Sequence, residues 1–136
     1  MKVQFKNRQA GLTLIEVTLV IAVLLGLISV LFIGVAAYKQ GSDRAKCILN
    51  IATVQKAARS YQNLYDLRYD EAGTNTDALA IGDIAGSGKM IETTPDCPDP
   101  AGDYDFETEV PAPGTAFATC TLETDKDHVP ANTDGW

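Results

Sequence analysis

The stretch "AGLTLIEV", residues 10–17, places a carboxylate, Glu16, near the start of the most apolar segment of the chain. From Leu12 to Tyr38 Glu16 is the only charged residue. About 20 apolar residues in a helix cross the hydrocarbon core of a bilayer, so this segment is long enough to span one. Lys2, Lys6 and Arg8 precede it. Basic flanks stay on the cytoplasmic side, which predicts residues 1–11 in the cytoplasm and the bulk of the chain exported. An ordinary secretory signal fits less well. Its apolar region is roughly 7–15 residues long and carries no carboxylate, although Val35-Ala36-Ala37 offers a small-residue cleavage site. A plain signal anchor explains the length but not Glu16. An ionisable residue at membrane depth costs about 2.5–3.5 kcal/mol on insertion scales and calls for a partner.

The local sequence suggests one. "RQAGLTLIE", residues 8–16, resembles the prepilin signal of type IV pilins and the related type II secretion pseudopilins. The resemblance rests on the basic leader, Gly11, Glu16 and the uninterrupted apolar run. It implies cleavage between Gly11 and Leu12 by a prepilin peptidase, and N-methylation of Leu12 as the new first residue. Leu12 stands where the family most often has phenylalanine. It also implies an assembly role for Glu16. The new amine at Leu12 of one subunit would pair with Glu16 of a neighbour, and low dielectric would make that pairing strong and orientation-specific.

Beyond Lys39 the apolar residues Cys47, Ile51, Val54, Ala58, Tyr61 and Tyr65 recur at alternating spacings of four and three, a helical stripe about one face wide. Arg44, Lys46, Lys56, Arg59 and Arg68 lie off the stripe and read as solvated or interfacial. The spacing predicts one helix from Leu12 to about Tyr69, with Gly26, Gly34 and Gly41-Ser42 as its weak points.

At Asp70 the composition turns to Asp, Gly, Thr and Pro, which reads as loop with a short helical piece near Asp77–Ile81. "YDFETEV" (104–110) and "TAFATCTLE" (115–123) alternate apolar with polar residues around "PAPG", predicting a β-hairpin with a four-residue connection. Laid over the helical stripe, such a sheet would bury both apolar faces. The fold expectation is therefore α+β. A long N-terminal helix, half membrane-spanning and half amphipathic, would carry a small antiparallel β head, as the pilin resemblance implies. The boundaries are a leader at 1–11, a membrane or filament-core half at 12–38, an amphipathic half at 39–69 and an acidic head at 70–136.

The net charge of −7 conceals a division. Residues 39–69 set six basic residues against Asp43 and Asp66, whereas residues 70–136 set Lys89 and Lys126 against fifteen acids. Such a head repels phosphate backbones, so no nucleic-acid partner is expected. Asp96, Asp99, Asp103 and Asp105, with Asp125 and Asp127, leave Ca²⁺ open as a ligand, but their order does not match an EF-hand. No other cofactor is expected.

Export into an oxidising compartment permits a disulfide between Cys97 and Cys120. It would close a loop of about 24 residues and contribute about 3–4 kcal/mol to a head with a thin core. "CPDPAGDY" (97–104) followed by Cys120 is also similar to a small-pilin subgroup. Cys47, on the stripe, reads as a buried unpaired thiol. Pairing with Cys97 or Cys120, or a bridge between subunits, are the alternatives. His128, the single histidine, reads as exposed. No CxxC, HExxH or phosphate-binding glycine loop is present, and no enzyme is expected.

The resemblance thus implies a structural subunit of a type IV pilus-like filament. It would sit in the inner membrane with its head in the periplasm before assembly, and then in a surface pilus. Its partners would be other subunits, the prepilin peptidase and an assembly platform. A pseudopilin of a type II secretion system is the alternative function, and a membrane-anchored periplasmic binding module is the more distant one.

Overall fold

The computed structural model describes residues 11–72 and 76–136. The chain divides into two compact units, Met1–Tyr38 and Lys39–Trp136. Of the expected leader only Gly11 lies within the described residues.

Helix α1 (Leu14–Tyr65) enters both units. It contains no proline, and its first turn closes when Thr13 O accepts from the N–H groups of Glu16 and Val17 at 3.0 and 3.3 Å. In the first unit every residue from Gly11 to Tyr38 is exposed. Two hydroxyls there are satisfied locally: Thr18 donates to Ile15 O at 3.0 Å and Ser29 to Leu25 O at 2.8 Å. Such back-bonding removes their need for an outside partner. This is a helix long and apolar enough to cross a membrane.

In the second unit the same helix buries one face: Asp43, Cys47, Ile51, Val54, Gln55, Ala57 and Ala58. The stripe expected from spacing is the buried face as far as Ala58, while Tyr65 at its far end is 58% exposed. The helix stops at Tyr65, short of the expected Tyr69. Asp66 takes a left-handed conformation (φ 52°), and Leu67 N–H returns to Gln62 O at 3.0 Å. That is a Schellman closure, which a short polar side chain tolerates better than most.

Among the described residues the head carries two strands, β1 (Tyr104–Phe106) and β2 (Ala118–Cys120), antiparallel with Tyr104 opposite Cys120 and Phe106 opposite Ala118. The expected hairpin exists but is shorter, and its connection is longer than four residues. Glu107 N–H still reaches Phe117 O at 2.9 Å. The chain then leaves this ladder to pair with another segment: Leu79 N–H donates to Thr108 O and Val110 N–H to Asp77 O, each at 3.0 Å. Pro111 and Pro113 have no N–H with which to prolong either ladder. Because residues 77–79 serve that pairing, the short helix α2 begins later than expected, at Ile81–Ile84. Its start is held by Ala80 N–H donating to the Asp83 carboxylate at 2.9 Å. A further short helix, α3, spans Glu123–Lys126.

The core has two clusters on the helix face. One joins Val54 and Ala58 to Leu79, Ile84, Val110 and Phe117. The other joins Cys47 and Ile51 to Tyr104, Cys120 and Leu122. Phe106 packs against both and lies 6.4 Å from Phe117 and 6.1 Å from Tyr104, ring centroid to ring centroid. Phe117 is fully buried, so Phe117→Ala is expected to cost about 3–5 kcal/mol. Leu64→Ala, at an exposed position, should stay within about 0.5 kcal/mol. Chemical denaturation of the detergent-solubilised chain, followed by circular dichroism, measures both.

Candidate functional site

Two places in the chain concentrate polar chemistry in unusual surroundings. The first is the start of α1. Leu12 is 75% exposed, and Glu16 lies in the first helical turn, a position where a carboxylate complements the unpaired N–H groups of the helix end. Within the described residues Glu16 stands on a helix whose neighbours are Leu14, Ile15, Val17 and Leu19, all exposed. Gly11, Leu12 and Glu16 are thus accessible to whatever surrounds this helix.

The second is where the head meets the helix in the Lys39–Trp136 unit. Three polar side chains of α1 replace the hydrogen bonds that a two-stranded sheet cannot provide. Gln55, 3% exposed, accepts from Phe117 N–H at 2.6 Å and donates to Thr115 O at 3.2 Å. Arg59 donates to Pro111 O, Ala112 O and Trp136 O, each at 3.0 Å. Burial holds its pKa below the usual arginine value. Arg44 pairs with the Asp127 carboxylate and donates from Nε to Asp127 O at 2.8 Å. Arg44 and Arg59 are expected from their positions off the stripe to be solvated or interfacial. In the structure both fasten loops to the helix.

Arg44 lies one turn before Cys47, and Asp127 immediately precedes His128. This juxtaposition assembles a cluster that the sequence did not disclose. Asp127 adopts a left-handed conformation (φ 57°), turning the chain so that His128 N–H bonds to Leu122 O at 3.3 Å. His128 is 1% exposed, which corrects the expectation of a surface histidine. Its Nδ1 lies 3.9 Å from Cys97 Sγ and 3.8 Å from Cys120 Sγ. The two sulfurs are 3.9 Å apart and unbonded, and Cys47, fully buried, completes the group. The four donor atoms all lie within 4.8 Å of one another.

Burial pushes the Cys47 thiol up to about 12 and raises that of Cys97. Burial likewise raises the Tyr104 hydroxyl, which takes a hydrogen bond from Asn50 at 3.2 Å and donates to Cys47 O at 3.4 Å. The Lys126 ammonium, 2.5 Å from Asp99, holds that carboxyl below its ordinary range and ties the Cys97 loop to α3. Asp99 and Asp127, two of the acids considered for Ca²⁺, are therefore ion-paired.

Cys97 and Cys120, expected as a pair, are brought side by side. Closing them into a disulfide would require the sulfurs to approach to about 2.05 Å and an oxidant to remove two electrons. Cys47, expected to be a buried free thiol, is buried and in no disulfide but has close thiol neighbours. No two of the four donors stand within a few positions of each other in sequence, so no spacing motif announces them. The one signal available was the coincidence of three cysteines and a single histidine in so short a chain.

No family model matches the chain, and no curated protein or solved structure matches it either.

Gln55 supplies a testable handle on the helix–head seam. Gln55→Ala leaves Phe117 N–H without its acceptor and is expected to cost about 1–3 kcal/mol. Lys56→Ala, on the exposed side of the same turn, should change stability by less than about 0.5 kcal/mol.

Proposed function

We propose that the chain is a structural subunit of a type IV pilus-like filament. It is made as a prepilin, cleaved between Gly11 and Leu12, methylated at Leu12 and polymerised through the apolar half of α1. The observation that carries this reading is a carboxylate, Glu16, on an otherwise apolar helical segment that is exposed along its whole length. Such a surface is stable only in lipid or against other apolar helices. A pilin-type filament supplies both in sequence, first the inner membrane and then neighbouring subunits. It also supplies a cation for Glu16, the amine released at Leu12 of the adjacent copy.

The head belongs outside the cytoplasm in this scheme, with a prepilin peptidase and an assembly platform as the partners at the membrane. The division of charge supports packing between copies, because the exposed Lys39, Lys46 and Lys56 of the helix match the acidic head of a neighbour. That match weakens as salt rises. A pseudopilin would share the same helix and leader, and is distinguished by the assembly system that its subunits join. An anchored binding module would keep its leader.

Mass spectrometry of the chain isolated from cells tests the reading. A mature protein starting at Leu12 with one added methyl is expected, and an intact Met1 end would overturn it. Glu16→Ala should insert into the membrane at normal levels yet fail to enter filaments, as measured by the sheared or pelleted fraction. Filament yield equal to wild type would exclude the amine–carboxylate pairing.

A further inference from the structure

The thiol–imidazole cluster in the head has the donor set and spacing of a closed metal site. In a tetrahedral Zn²⁺ centre, Zn–S bonds of about 2.3 Å and Zn–N bonds of about 2.0–2.1 Å set neighbouring donors about 3.6–3.8 Å apart. The observed separations are 3.9 Å for Cys97–Cys120, 3.9 Å for Cys97–His128 and 3.8 Å for Cys120–His128, with Cys47 inside the same 4.8 Å group. Four segments deliver the donors: the buried face of α1, the loop before β1, the end of β2 and the turn after α3. A disulfide uses two of the four and leaves no account of the other two. Plain core packing accounts for the cysteines but not for an imidazole nitrogen directed at two sulfurs, which are weak hydrogen-bond partners.

The surroundings are shaped to the sulfurs. A side chain at Gly102 would put Cβ 2.7 Å from both Cys97 Sγ and Leu122 Cδ1, so only glycine lets the backbone close against the cluster. The Arg44–Asp127 and Lys126–Asp99 pairs hold the His128 turn and the Cys97 loop in place from either side.

We propose that Cys47, Cys97, Cys120 and His128 bind one Zn²⁺ ion as a structural Cys3His centre. Loading forms three Zn–S bonds and one Zn–N bond, and each thiol yields its proton to solvent. No electron is transferred. Four protein donors fill the tetrahedron and leave no position for a substrate, so the centre is a staple rather than a catalyst. It joins helix, loop, strand and the final turn in a head with little core of its own. Zinc and the Cys97–Cys120 disulfide exclude each other, because an oxidised pair offers no thiolates. The centre stands whether or not the helix polymerises.

The test uses the full-length chain in detergent, with metal content by plasma mass spectrometry, intact mass and thiol alkylation. The expected result is about one Zn²⁺ per chain by the four-donor stoichiometry, with three thiols shielded from alkylation until a chelator is added. Co²⁺ exchanged into the site should show thiolate-to-metal charge-transfer absorption. His128→Ala and Cys47→Ser should each weaken Zn²⁺ binding by more than the roughly 10–100-fold typical of losing an outer-shell partner. Cys47→Ser nearly preserves volume, and circular dichroism checks that it folds. A freshly isolated chain lacking metal and lighter by the two hydrogens of a disulfide would overturn the proposal. So would Zn²⁺ binding unchanged in both variants.

Discussion

The head exists because one face of α1, from Cys47 to Ala58, is available to be covered. Two strands of three residues cannot bury a core between themselves, and an isolated pair of this kind is marginal in water. Both hydrophobic clusters are therefore built on the helix: Val54 and Ala58 seat one, Cys47 and Ile51 the other. Small residues matter here. Ala57 and Ala58 let the Phe117 segment approach the helix closely, and β-branched Ile51 and Val54 give it a stiff surface.

Along α1 a single backbone geometry carries two kinds of surface. From Leu14 to Tyr38 the side chains are apolar on all sides and none is covered by this chain; from Lys39 onward the helix is amphipathic and one face is covered. A helix satisfies its own backbone hydrogen bonds, so it can pass from an apolar surrounding to an aqueous one without unpaired groups. That property lets one element carry both an apolar exposed segment and the head. Glu16 is the one charged residue from Leu12 to Tyr38.

Polar contacts finish what the thin core begins. Gln55 acts as an amide at the edge of the β2 segment, and Arg59 gathers Pro111 O, Ala112 O and Trp136 O onto the helix, the last two of which also accept the N–H groups of Thr115 and Gly114. Arg44 and Lys126 fix the segments that present His128 and Cys97. The acidity of the head is therefore only partly a solvated surface. Some of its carboxylates are structural, engaged by the few cations of the helix and of α3.

The helix and its two-part character were legible from sequence because they are local. An apolar run, a following stripe and the absence of proline act within a few residues, and the observed helix differs only at its ends, starting at Leu14 where Leu12 was expected and closing at Tyr65 where Tyr69 was expected, through the left-handed Asp66. The hairpin was legible as alternation, but its extent was not. After β1 the chain bonds first to Phe117 through Glu107 and then to the 77–79 segment through Thr108 and Val110, a change of partner that no local pattern records. The cluster was least visible of all. Cys47, Cys97, Cys120 and His128 meet because a helix face, a loop, a strand end and a turn at Asp127 converge, and each was read alone as a thiol, a pair or a surface histidine. Sequence by itself determined the long helix with its apolar and amphipathic halves and the charge placed within the first. Only the tertiary structure decided which side chains share a buried point, because that depends on long-range packing and not on spacing along the chain.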